Sequence, residues 1–156
     1  MKNAIGLSAP LASELATGLN HLLANFQLFY INTRGFHWNI QGDNFFELHL
    51  KFEEIYTDTQ LKIDEVAERI LTLGHRPLHS YGAYLEVATI RPLTDVSAGK
   101  EALQHVVDAY SILLEQERKL LQMASDALDE GTNALMSDYI RQQEKNVWMF
   151  QSYLAQ

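Results

Sequence analysis

Apolar residues return every three or four positions along most of this chain, the spacing that lines one face of an α-helix, in four long segments divided by short punctuation. In the first segment Leu11, Leu15, Leu19, Leu22, Phe26, Tyr30 and Thr33 form the stripe; Ser8 and Pro10 suit its start and Gly35 is expected near its end. The second runs from about Asp43 to Leu73 on Phe45, Leu48, Phe52, Ile55, Ile63, Val66 and Ile70, with Gly74 and Pro77 as the stop. At 1.5 Å per residue it spans about 45 Å. The third is bounded by Asp95 or Ser97 and by about Ala127, with Leu103, Val106, Val107, Tyr110, Leu113, Leu114, Leu120 and Leu121 inward. The fourth starts near Thr132 and reaches Tyr153, its faces marked by Leu135, Tyr139, Gln142, Val147 and Phe150.

Only the connection between the second and third segments is long, and within it YGAYLEVA has the makings of a short helix. Two long helical hairpins joined by a crossover predict an all-α chain. The expected architecture is a ferritin-like four-helix bundle with a short extra helix in the crossover between the second and third helices. At 156 residues and 47 % hydrophobic content the chain suffices for one domain, 1–156, burying about 70 % of its extended surface.

Composition narrows the chemistry. Twelve Lys and Arg against twenty Asp and Glu leave a net charge of −8, which disfavours a nucleic-acid binder working through one continuous basic face. With no cysteine, thiolate metal sites, iron–sulfur clusters and cysteine nucleophiles are excluded, so a transition-metal site has to be built from His and carboxylates. No stretch approaches the roughly 18 unbroken apolar residues of a membrane span, and the opening MKNAIGLSAPLASELATGL lacks the features of a secretory signal. The expected location is cytoplasmic.

The candidate ligands are His37, His49, Glu53, Asp64 and Glu68. At about 100° per residue Glu53, Asp64 and Glu68 lie about 40°, 60° and 100° from His49, so all four share one side of the second helix. His49 and Asp64 are nevertheless about 22 Å apart along the axis, too far to bind one ion from the same straight helix. Two copies packed antiparallel about a two-fold axis would bring His49 of one subunit toward Asp64 and Glu68 of the other, giving two equivalent sites per dimer. Gly42 permits the turn that returns His37 to His49. Two imidazoles with two or three carboxylates suit Fe²⁺, with Mn²⁺, Co²⁺ or Zn²⁺ as competitors. The bland alternative is ordinary solvated helix charge, of which Glu65 and Arg69 are the expected i,i+4 example. His21, His75, His79 and His105 have no converging carboxylates in the sequence pattern.

The string FHWNIQGDNFFELHLKFEEIYTDTQLKIDEVAERI resembles the Dps family, the miniferritins named for DNA protection in starved cells, through His37-Trp38-Asn39, Gly42, Phe45-Phe46, Leu48-His49, Phe52-Glu53, Asp64 and Ala67-Glu68-Arg69. The closing EKNVWMFQSYL is similar to the family's last helix. The resemblance implies a hollow homododecamer built from two-fold dimers, with ferroxidase sites at the dimer interfaces that oxidise Fe²⁺ with hydrogen peroxide, or more slowly dioxygen, and a cavity that stores ferric mineral. It further implies His37 and His49 as ligands from one subunit, Asp64 and Glu68 from its partner, and Glu53 assisting the second of two irons, with zinc as a competing ion. Trp38 matches the family tryptophan near the site. Asp126, Asp129, Glu130 and Asp138, around the boundary between the third and fourth helices, fall where similar proteins build an acidic iron-entry pore.

A DNA-compacting shell with a minor catalytic role is the competing reading, and a peroxide-handling enzyme using another metal is a third. The Lys/Arg-rich arm of DNA-binding relatives is missing: residues 1 to 10 hold only Lys2, and QSYLAQ holds no basic residue. Twelve copies at −8 each would carry −96, so DNA binding is expected to be weak or absent.

Overall fold

The computed structural model describes residues 1–155; Gln156, the last residue of the expected domain, lies outside the described residues. Five helices follow one another: α1 (Ala9–Asn39), α2 (Phe45–Thr72), the short α3 (Tyr81–Val87), α4 (Gly99–Asp126) and α5 (Glu130–Leu154). Helices α1 and α2 form one long hairpin and α4 and α5 the other, with α1 against α4 across the bundle and α3 against α1. This is the expected all-α bundle with its extra helix in the crossover. No helix among the described residues is long and apolar enough to cross a membrane.

The predicted stripes form the core. Leu15, Leu19, Leu22 and Phe26 of α1 meet Phe52 and Ile70 of α2, Leu103, Leu113 and Leu120 of α4 and Met136 of α5, all fully buried. Two details differ from expectation. Leu11 lies outside the core at 37 % exposure. Gly35 does not end α1: the helix continues to Asn39, and Ile40 N–H still donates to Phe36 O before the chain turns extended at Ile40. One glycine in a long, well-packed helix costs about 1 kcal/mol against alanine, too little to break it.

The crossover has little regular structure, so its backbone groups need partners from elsewhere. Three asparagines on α1 supply them. Asn20 Oδ1 accepts from Leu78 N–H, Asn25 Oδ1 from Thr89 and Ile90 N–H, and Asn32 Oδ1 from Leu93 N–H, while Asn20 and Asn32 donate to Arg76 O and Arg91 O. Ser80 caps α3 by accepting from Ala83 N–H, and Tyr84 packs inward beneath it.

Candidate metal centre at the first hairpin

The α1–α2 turn brings the two candidate imidazoles together. Gly42 has φ +92° and Asn44 φ 62°, both left-handed, a conformation that glycine adopts freely and asparagine better than most residues. Gln41 N–H donates to Ser97 O and Asn44 Nδ2 to Tyr153 Oη, so the turn is pinned to the start of α4 and the end of α5.

Within this hairpin His37 and His49 stack face to face, ring centroids 3.8 Å apart and planes 11° from parallel. Each ring binds the other residue's main chain. His37 Nδ1 donates to His49 O at 2.6 Å and His49 Nδ1 donates to His37 O at 2.7 Å. A carbonyl oxygen only accepts, so both Nδ1 atoms carry protons, and in the neutral imidazole the ligating lone pair of each ring is on Nε2. The outer faces are held as well: Phe45 stacks on His49 at 5.1 Å and Tyr56 meets His37 edge-on at 5.3 Å. Glu53 lies beside them, its Oε1 3.9 Å from His37 Nε2, with the carboxylate half-exposed.

Asp64 and Glu68 lie further along the same unbroken helix, both exposed, about 22 Å and more from His49 along the axis. The chain therefore brings His37, His49 and Glu53 near one another and leaves Asp64 and Glu68 distant from them. Among the described residues no three His, Cys, Asp or Glu side chains of the chain form a metal cluster. The helix side that carries Asp64 and Glu68 also exposes Leu50, Leu61 and Leu71 at 54–64 %, and on α1 Ile31 and Trp38 are exposed at 50 % and 59 %. The Arg34 guanidinium covers the Trp38 ring at 5.1 Å and also approaches Tyr30 and Tyr56.

Of the four acidic residues around the α4–α5 boundary, Asp126, Glu130 and Asp138 are exposed, Asp126 accepting from Gln122 and Asp138 paired with Arg141 at 2.9 Å. Asp129 is 2 % exposed. It caps α5 by accepting from Thr132 N–H at 3.0 Å, binds the Thr132 hydroxyl and pairs with Arg69 Nη2 at 2.7 Å. Arg69 thus reaches across to α5 instead of forming the expected helix pair with Glu65, whose carboxylate accepts from Tyr139 Oη. Of the remaining histidines, His105 lies 3.7 Å from Glu101 and His79 donates from Nδ1 to Pro77 O.

The family model of the ferritin-like domain matches residues 16–156. A DNA protection during starvation protein of Porphyromonas gingivalis is 42 % identical over 148 residues, 95 % of this chain and 93 % of the relative. An uncharacterised protein of Haemophilus influenzae is 52 % identical over 151 residues, 97 % of this chain and 94 % of the relative. The crystal structure of a Dps protein from Vibrio cholerae, described as a member of a superfamily of ferritin-like diiron-carboxylate proteins, superimposes with a TM-score of 0.97 at 60 % identity, covering 98 % of this chain and 96 % of that one. With a whole-length fold, a matching domain model and relatives of this identity in agreement, the chain belongs to the Dps family of the ferritin-like superfamily.

Proposed function

We propose that this protein is a peroxide-dependent ferroxidase that retains the oxidised iron as mineral inside a hollow shell, limiting oxidative damage in the cytoplasm. The observation that carries the reading is the locked His37–His49 pair, which leaves Nε2 as the ligating atom of both rings beside Glu53, on the same helix side as two exposed carboxylates one chain cannot deliver to it. Asp64 and Glu68 of a partner subunit, packed antiparallel on α2, complete the donor set. The leucines exposed along α2 support such packing, since grouped apolar surface gains by being covered.

Carboxylates offset the charge of bound ferrous and ferric ions, and the imidazoles complete a site with positions open for the oxidant. Iron here is the substrate. Hydrogen peroxide takes one electron from each of two Fe²⁺ ions and, with two protons, leaves as two waters. Dioxygen is the slower oxidant, and zinc competes for the same nitrogen and oxygen donors. A dodecamer of two-fold dimers supplies the cavity, and Asp126, Glu130 and Asp138 form the exposed part of the acidic entrance, with Asp129 behind them as a cap. Exposed carboxylates repeated around a pore would draw Fe²⁺ inward.

The direct test adds peroxide to metal-free protein preloaded anaerobically with Fe²⁺ and follows ferric absorbance. The expected result is oxidation well above the protein-free rate, consuming one peroxide per two irons and slowed by Zn²⁺. A rate equal to the protein-free control would overturn the reading. DNA protection on this account acts through iron rather than through contact, because residues 1–156 carry a net charge of −8 and residues 1 to 10 hold only one basic side chain, Lys2. Accordingly, no mobility shift of duplex DNA is expected at about 0.15 M salt; a sequence-independent shift would favour the compaction reading instead.

A further inference from the structure

Away from the candidate metal centre, a fully buried polar pair joins α4 to α5. Glu117 is 0 % exposed and Gln143 2 %. Gln143 Nε2 donates to Glu117 Oε2 at 2.8 Å. The remaining polar atom of each side chain, Glu117 Oε1 and Gln143 Oε1, is buried with no hydrogen-bond partner. These leftovers complement one another. An amide and a carboxylic acid form a ring of two hydrogen bonds, amide N–H to one acid oxygen and acid O–H to the amide oxygen. The first bond is present, and the two atoms required for the second are the two orphans. A single proton on Glu117 Oε1 supplies the missing donor and satisfies both acceptors, whereas a carboxylate leaves two buried oxygens without one.

The neighbouring charges do not supply that donor. On α2, Lys62 Nζ donates to Asp58 and to Gln142 Oε1 and sits 5.2 Å over the Tyr139 ring, so its attraction for Glu117 acts only at a distance. On α4, Arg118 pairs at the surface with Glu144 of α5, and Tyr110 Oη accepts from Asn146. On α5, Tyr139 Oη donates to Glu65 of α2. From α1 the rings of Phe26 and Phe29 pack on Tyr139 and Tyr110 and offer no polar group.

We propose that Glu117 is held in the folded subunit as a neutral carboxylic acid doubly hydrogen-bonded to Gln143, and that this pair is a proton-dependent latch between α4 and α5 that opens when the proton leaves. Burial pushes the Glu117 carboxyl up to about 8, with the Gln143 hydrogen bond and the charges of Lys62 and Arg118 pulling it only part of the way back. The sign follows from proton counting. Between the ordinary carboxylate range and about pH 8 the folded state holds a proton that the unfolded state has lost, so stability falls as pH rises through that window and levels off above it. The latch is independent of iron, so its failure would leave the ferroxidase reading untouched, and the reverse holds too.

Glu117→Gln tests it, because the amide offers the missing donor at every pH and keeps the side chain's shape. The assembled wild-type protein is expected to lose apparent melting temperature relative to Glu117→Gln by roughly 5–10 °C between about pH 5 and about pH 9. Infrared spectra in heavy water at about pH 6.5, where ordinary carboxyls are ionised, are expected to contain a protonated-carboxyl carbonyl band that vanishes with a midpoint near 8 and is missing from the variant. A melting-temperature difference that does not change with pH, together with no such band in the wild type, would overturn the latch. If the variant does not assemble, the wild-type band and its titration decide alone.

Discussion

An Asp64→Ala/Glu68→Ala double variant is expected to fold and assemble normally and to lose fast peroxide-dependent iron oxidation by at least about 100-fold, the upper range for disturbing even the outer shell of a metal site. Both carboxylates are exposed on α2, where substitutions away from buried networks usually change stability by about 0.5 kcal/mol or less. Stopped-flow ferric absorbance reads the chemistry and size-exclusion chromatography the assembly. Equal rates in variant and parent would remove both residues from the site. Mixing subunits makes the test specific to a shared site. In a dimer of one Asp64→Ala/Glu68→Ala subunit and one His37→Ala/His49→Ala subunit, one of the two sites combines all the damaged positions and the other combines none. Such mixed shells should regain activity that neither variant has alone. No recovery in mixed dimers would place the ligands within one chain, against the 22 Å that separates His49 from Asp64 along α2.

The second large effect is one of stability. Asp129→Ala should destabilise the subunit by about 3–5 kcal/mol, the usual cost of stripping one partner from a buried ion pair. Asp129 is 2 % exposed, and its loss leaves the Arg69 side chain, four-fifths buried, with the Thr132 hydroxyl but without the carboxylate that balances its charge, while α5 loses its cap. The seat is tight: a Cβ at Gly131 would lie 2.8 Å from Arg69 Nη1. Asp129→Asn, which keeps the cap but not the charge, should fall between the parent and Asp129→Ala. Asp138→Ala removes only a surface pair with Arg141 and should cost under about 1 kcal/mol. Denaturant unfolding measures all three. A loss below about 1 kcal/mol for Asp129→Ala would show that the Arg69 pair is dispensable.

Helical periodicity made the bundle readable because each of the four long helices carries an apolar stripe at a spacing of three and four that packs into the core, even where other apolar residues, such as Leu50 and Leu61 of α2, stay outside it. Punctuation was less reliable. Gly35 looked like a stop, but a helix ends where its hydrogen bonding ends, and that is set by extended Ile40 and left-handed Gly42. The common side of His49, Glu53, Asp64 and Glu68 followed from rotation per residue alone. The locked tautomers of His37 and His49 did not, since each depends on the other helix's carbonyl. Arg69 was read as Glu65's neighbour because local spacing is visible in a sequence, whereas a partner 60 residues away at Asp129 is not. Glu117 did leave a signal: it falls on the inward stripe between Leu113 and Leu120, where a charged residue demands a buried partner. Lys62, between Thr59 and Val66, left the same one on α2.

The reciprocal bonds between His37 and His49 bear on timing. Because each ring is oriented by main-chain atoms of its own chain, the half of the proposed donor set that they would supply is in register as soon as the hairpin forms, with no side-chain freedom left there for a metal to freeze out. The other half, as proposed, arrives only with a second subunit. On the proposed reading, a newly synthesised, unpaired chain is chemically silent toward ferrous iron, and oxidation begins only where a wall is already forming to contain the product.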